Sequence, residues 1–320
     1  MATTIKSLRR GAARAARRYG IFFAILALWE FAAKSGLADS VYLPTLETVA
    51  GALYDLWVKA FLFTHIMVSL TRVVTGLAVA LCLGVPLALL LGRIFPASFA
   101  RLEALLRIFA LVNPYCLFPL FVVFFGVGET PKIAVLAWVS LWPIFFSALS
   151  AFKNVDPILV KTALATRATP FSLFRAVILP ASLPSVFHGV RLGVEMSFFI
   201  LIAAEMTGAT AGLGWIIHNA GALNQVDRIY AAGVCVVFLG VALNWFTLYL
   251  KRGLFFWDER RDPFSTMAPG GARRPVGRGR LAIAVAVFLA LMAVGAWRIF
   301  EAERLLNDPS TVHEYHVSRE

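Results

Sequence analysis

The sequence predicts an all-α integral membrane protein, and three observations carry that prediction. Of the 320 residues, 60% are hydrophobic and only 15% charged, beyond the roughly half apolar content of ordinary soluble domains. The apolar residues gather in runs of about 20, the length a helix needs to cross a hydrocarbon layer of roughly 30 Å. The Lys and Arg lie in blocks between these runs rather than along one face, so the net charge of +12 reads as membrane topology and not as a nucleic-acid surface.

Seven spans can be placed in order, at residues 20–37, 66–92, 102–125, 131–151, 186–206, 229–250 and 281–298. The first follows a basic segment, 1–20, with Lys6, Arg9, Arg10, Arg14, Arg17 and Arg18. It reads as a retained signal anchor, because Trp29, Glu30 and Lys34 stand where a cleavage site would need small residues. With the N-terminus cytoplasmic, the inside segments 1–20, 92–107, 152–193 and 251–280 hold 22 of the 30 Lys and Arg. Cytoplasmic enrichment of these bases is the orienting bias of membrane proteins, so the count selects this orientation over its inverse.

The connections follow from the same reading. Residues 38–65 are too polar to span, and Leu46, Val49, Leu53 and Leu56 recur at helical spacing, which predicts an amphipathic helix along the outer surface. The cytoplasmic segment 152–185 has room for two short helices, 157–168 and 171–179, the second stopped by Pro180. A linker rich in Gly, Pro and Arg, 251–280, precedes the seventh span. Its run LAIAVAVFLALMAVGAW is apolar around its whole circumference, as expected of a lipid-facing helix peripheral to any pathway. Residues 299–320 form an external tail. Cys82, Cys116 and Cys235 lie inside apolar runs without metal or redox spacing and read as small buried hydrophobes.

Three stretches carry a family resemblance. VSLTRVVTGLAVALCLGVPLALLLGR (68–93), FGVGETPKIAVLAW (125–138) and VDPILVKTALATRATPFSLFRAVILPASLPSVFHGVRLGVEMSFFILIAAEM (155–206) resemble the permeases of the sulfonate, taurine and nitrate importers of the ABC class. The likeness covers roughly residues 20–250 and implies a six-span permease core, to which the seventh span is an addition. In that family the cytoplasmic loop carries a Glu-Ala-Ala triplet, a Gly four residues after the second Ala, and a Leu-Pro beyond, by which a short helix docks on the ATP-hydrolysing subunit. Ala163, Phe174, Leu179, Pro180 and Pro184 match. Lys161 stands in place of Glu, Thr162 in place of the first Ala, and Arg167 in place of Gly. Three readings of that departure stand: a degenerate half of a heterodimer, a dedicated ATPase with a complementary acidic cleft, or poor transmission of the stroke.

The resemblance implies partners: two cytoplasmic ATP-binding subunits, a second permease copy or paralogue, and an external solute-binding protein, in a bacterial cytoplasmic membrane. It also implies that ATP and Mg belong to the partner and that this chain binds no cofactor. The residues agree, because the nearest string to a phosphate loop, GVGETPK (126–132), has Pro131 where that pattern demands Gly. Neither zinc spacing nor a nucleophilic triad is present in the sequence, so no catalytic or metal residue is assigned.

Ionisable residues inside spans cost roughly 2.5–3.5 kcal/mol on insertion scales, so each calls for a reason. His188, Arg191 and Glu195 share one face of the span 186–206, either as an internal Arg191–Glu195 ion pair or as a gating or substrate-facing group. Glu205, in the AAEM string of the family, is open to the same two readings. Asn113 and Tyr115, beside Pro114, Cys116 and Pro119, are candidates to line the pathway or merely to pack helices. Segment 207–224, with Gly208, Gly212 and Gly214, resembles the external loop that closes these permeases, or is an ordinary connector. The function expected is that of a permease subunit importing a small anionic solute by alternating access. The rivals are an ATPase-independent transporter or channel and a non-transporting partner subunit.

Overall fold

A computed structural model of the chain describes residues 20–36, 39, 41–59, 62–255 and 278–306. The basic N-terminal segment, most of the linker 251–280 and the tail beyond 306 lie outside the described residues. Helix α1 is described over residues 20–34. It is followed by α2 (Leu46–Lys59), α3 (Leu62–Leu89), α4 (Pro96–Leu111), α5 (Pro114–Phe125), α6 (Glu129–Lys153), α7 (Pro157–Ala165), α8 (Pro170–Leu173), α9 (Leu179–Met206), α10 (Leu213–Ala222), α11 (Val226–Leu254) and α12 (Arg278–Leu306). The chain divides into two compact units, residues 1–62 with 216–234, and residues 63–215 with 235–320.

In the first unit α2 is the amphipathic helix expected between the first two spans. Val49, Ala52 and Leu56 are buried while Tyr54, Trp57 and Val58 are exposed. Trp29 of α1 donates its indole N–H to the Pro44 carbonyl at 3.0 Å and stands edge-on to Tyr230, with ring centroids 5.1 Å apart. Glu30 accepts from the Leu46 amide at 2.8 Å. These contacts fasten the entry of α2 to α1.

The second unit is built on α6 and α9, which pack along their length. Small residues on one face of α9 allow it. A β-carbon at Gly189 would lie 2.6 Å from that of Ser147, and Gly193 faces Ser140, whose hydroxyl donates to the Gly193 carbonyl at 3.2 Å. With lipid as solvent, such close backbone approach supplies dispersion contacts in place of a hydrophobic driving force. Around this pair Leu70, Val73, Phe118, Val135, Leu136, Val194, Ile200 and Leu201 form one core cluster.

The described residues differ from expectation in the spans and in the loop between them. Four stretches are long and apolar enough to cross a membrane, 62–92, 129–153, 170–206 and 226–254. The expected span 102–125 is not one helix: α4 and α5 meet at a 91° bend, where Asn113 caps α5 and Pro114 occupies its first turn. The helix expected at 157–168 ends at Ala165. Pro180 does not stop a helix 171–179; α8 has four residues, a π-turn over Phe174–Ile178 follows, and Pro180 lies in the first turn of α9. The stretch 170–206 runs on without a break, and the π-turn just ahead of Pro180, with the Leu179 N–H bonded to the Phe174 carbonyl, shifts the hydrogen-bond register where the ring offers no N–H.

The seventh run also departs from expectation. Its apolar run Leu281–Trp297 lies within the 29-residue helix α12, and that helix is not peripheral to the core. Phe288, Leu291 and Met292 pack against the core cluster, and Phe288 stacks on Phe246 at 4.5 Å, while Ile283, Val287, Leu289 and Val294 are exposed. Among the cysteines only Cys235 is buried; Cys82 and Cys116 are exposed on helix faces turned from the core.

Candidate functional site

A single Arg in the apolar helix α3 organises the site. Arg72 is 1% exposed, and a buried guanidinium is tolerated only when its N–H groups find acceptors. Its Nε and Nη2 donate to the two carboxylate oxygens of Glu129 at 2.6 and 2.7 Å, a bidentate pair. Its Nη1 donates to Glu205 Oε1 at 2.8 Å and to the Ala211 carbonyl at 2.7 Å. Lys132, one turn along α6, reaches Glu129 Oε1 at 3.0 Å. Two formal cations thus face two formal anions.

One of these carboxylates, Glu205, also finishes a helix. The first amides of α10 have no intrahelical acceptor, and side chains provide one. Gly214 N–H donates to Glu205 Oε2 at 2.8 Å and Leu213 N–H to Ser69 Oγ at 2.9 Å, while Ser69 Oγ donates to Glu205 Oε1 at 2.7 Å. His65 Nδ1 accepts from Gly212 N–H at 3.0 Å, and its ring stacks on Trp215. The segment leading into α10 is therefore tied to α3 and α9 at four amides or carbonyls.

Two glycines make that tie possible. A β-carbon at Gly212, whose φ is +128°, would lie 2.5 Å from Glu205 Cδ and 2.6 Å from Arg72 Nη1. One at Gly214 would lie 2.6 Å from both Glu205 Cβ and the Ile202 carbonyl. Beside the cluster is a cavity of about 230 Å³ lined by Arg72, Glu129, Lys132, Thr210, Val68 and Ile299, among others.

Of the residues singled out in the sequence, Glu205, Gly212 and Gly214 meet here, and Gly208 lines the adjoining cavity. The others lie apart. Asn113 accepts from the Tyr115 amide and Tyr115 Oη donates to the Phe199 carbonyl at 2.8 Å; neither lines the cavity. Arg191 pairs with Glu195 at 3.1 Å and with Asn244 Oδ1 at 3.0 Å, which is the internal ion pair of the two readings, and His188 is exposed. Ser69, Arg72, Glu129, Lys132 and His65 were not singled out, although the rule that an ionisable residue in a span needs a reason applied to Arg72 and Lys132.

The loop residues gather at the other end. The 25 residues of α6, about 37 Å as a helix, run from Glu129 down to the turn before α7, and α9 returns from that loop to Glu205. Asp156 caps α7 by accepting from the Ile158 amide at 2.8 Å. Lys161, Thr162 and Arg167 are exposed; Ala163, Phe174, Leu179 and Pro180 are half-buried. Arg167 has φ +57°, and the Ala168 and Arg167 amides donate to the Ala163 and Leu164 carbonyls. That is a Schellman helix end, whose left-handed residue favours Gly.

Comparison with known proteins agrees with this architecture. Residues 84–256, more than half of the chain, match the family described as binding-protein-dependent transport system inner membrane component. The taurine transport system permease protein TauC of Escherichia coli is 29% identical over 243 residues, 74% of this chain and 88% of that protein. The putative aliphatic sulfonates transport permease protein SsuC of the same organism is 30% identical over 236 residues, 73% and 89% of the two chains. Among solved structures, the inward-facing methionine ABC transporter MetNI superposes with a TM-score of 0.52 at 19% identity, over 61% of this chain and 96% of that one, a likeness of fold. The chain belongs to the family of binding-protein-dependent transport system inner membrane components, as a membrane-embedded permease subunit of an ABC importer.

Proposed function

We propose that this permease imports a small anion-bearing solute, that separate cytoplasmic ATPase subunits drive it through residues 157–180, and that the Arg72 cluster is the outer latch of its alternating-access cycle. The observation that carries the coupling is the surface of α7 and α8: Ile158, Leu159, Leu164 and Phe171 are all exposed, and α7 buries no residue at all. Apolar groups on a short helix between two spans are the chemistry of a docking face. The names of TauC and SsuC, for taurine and aliphatic sulfonates, support a sulfonate or similar anion as cargo. The distribution of Lys and Arg supports a cytoplasmic N-terminus, which puts the loop inside and the latch outside.

The test is purification of tagged chain from native membranes in mild detergent. The eluate should hydrolyse ATP in a magnesium-dependent way, and Ile158→Asp with Phe171→Asp should abolish that activity while the permease remains monodisperse. An eluate without ATPase activity would favour a non-transporting subunit or an independent transporter.

A further inference from the structure

We infer that helix α12, beyond the segment matched by the family, is an intramolecular strap that holds the Arg72 latch shut. The inference rests on reading the cluster as a latch. Leu281 abuts Gly253, where a β-carbon would lie 2.6 Å from Leu281 Cδ1, and Phe288 stacks on Phe246. These pairings are those of an antiparallel hairpin with α11. Further along α12, Gly295 is buried against α3, where a methyl group would overlap the Thr71 hydroxyl and lie 2.7 Å from the Met67 carbonyl. Thr71 is the neighbour of Arg72 and returns its hydroxyl to that same carbonyl at 2.8 Å.

One turn beyond Gly295, Ile299 lines the cavity with Arg72, Glu129, Lys132, Gly208 and Thr210. The helix therefore touches the latch twice: as a backbone pressed on the turn of α3 that carries Arg72, and as an apolar side chain over the opening beside the carboxylates. Opening the latch requires α3 to part from α6 and α9. With α12 wedged against α3 on one side and α11 on the other, that motion must also break the Gly295 seat. A ligand-free permease is thereby biased to its closed state, since any contact present only when closed shifts the population that way.

The test uses the full chain in nanodiscs, with Cys82, Cys116 and Cys235 replaced by Ser and Val68, buried beside the cavity, replaced by Cys. The rate of reaction with a charged methanethiosulfonate reports opening. Glu129→Gln weakens the latch itself and should raise the rate about tenfold; Gly295→Leu should raise it comparably. Phe288→Ala loosens α12 about three turns, roughly 16 Å, from Ile299, so it does not widen the cavity directly, and it should raise the rate about threefold. Acceleration by Glu129→Gln with none by Phe288→Ala or Gly295→Leu would overturn the strap and leave the latch standing. No acceleration in any variant would remove the latch and the strap with it. If Gly295→Leu aggregates, Phe288→Ala decides alone.

Discussion

Arg72 and Glu205 stand 133 positions apart in the chain, yet Nη1 and Oε1 lie 2.8 Å apart, with the two side chains 1% and 0% exposed. Neither residue is isolated: Arg72 also holds Glu129, and Glu205 also accepts from Ser69 and Gly214. Removing one member of a buried pair leaves an uncompensated charge, at a cost of about 3–5 kcal/mol.

The asymmetry of those partners makes an ordering. Arg72→Ala leaves Glu205 without a cation and Glu129 with Lys132 alone, whereas Glu205→Ala leaves Arg72 its bidentate Glu129. Arg72→Ala should therefore lower the melting temperature, followed by tryptophan fluorescence in detergent, more than Glu205→Ala. The double variant should cost less than the sum of the two. Equal and additive losses would contradict a coupled network.

The glycines near the latch differ in what surrounds them. Gly208, at φ +74°, has only Val127 Cγ1 within reach, at 3.8 Å. Gly208→Ala should cost about 1 kcal/mol of backbone strain and leave the loop in place. Gly212→Ala must push Glu205 or Arg72 aside and should disrupt the loop, seen as faster thiol labelling of a Cys at Thr210.

His65→Phe keeps an aromatic face on Trp215 and removes the acceptor of the Gly212 amide. A buried N–H left without a partner costs about 1–3 kcal/mol. Hydrogen exchange at Gly212 should accelerate accordingly, while exchange within α6 should not change.

At the opposite end, Arg167 and Lys161 should part company. Arg167 occupies a left-handed helix end, so Arg167→Gly should relieve about 1 kcal/mol of strain and leave the ATPase in the purified complex. Lys161 lies on an exposed surface, and Lys161→Glu should weaken that association through charge. Retention of full ATPase activity in Lys161→Glu would remove the acidic-cleft reading.

Local chemistry was legible in the sequence and non-local pairing was not. The buried stripe of α2 follows from the spacing of Leu46, Val49, Leu53 and Leu56, because a helix face is set within a few turns. The break at Asn113 and Pro114 was visible as residues, but a 91° turn depends on what packs at either side. Pro180 does not end a helix because the π-turn over Phe174–Ile178 carries the helix past it, a local register shift that no sequence pattern announces. Arg72 finds its partners 57 and 133 positions away, and no periodicity encodes that. Glu205, Gly212 and Gly214 were found through the resemblance, without the Arg that unites them.

The balance of two cations and two carboxylates has an electrical consequence. A lone charge displaced through an energised bilayer exchanges about 2.3 kcal/mol with the field for every 100 mV. A neutral quartet that separates and rejoins in place transfers almost none, so the outer closure should respond to nucleotide and solute while staying indifferent to the voltage of the cell.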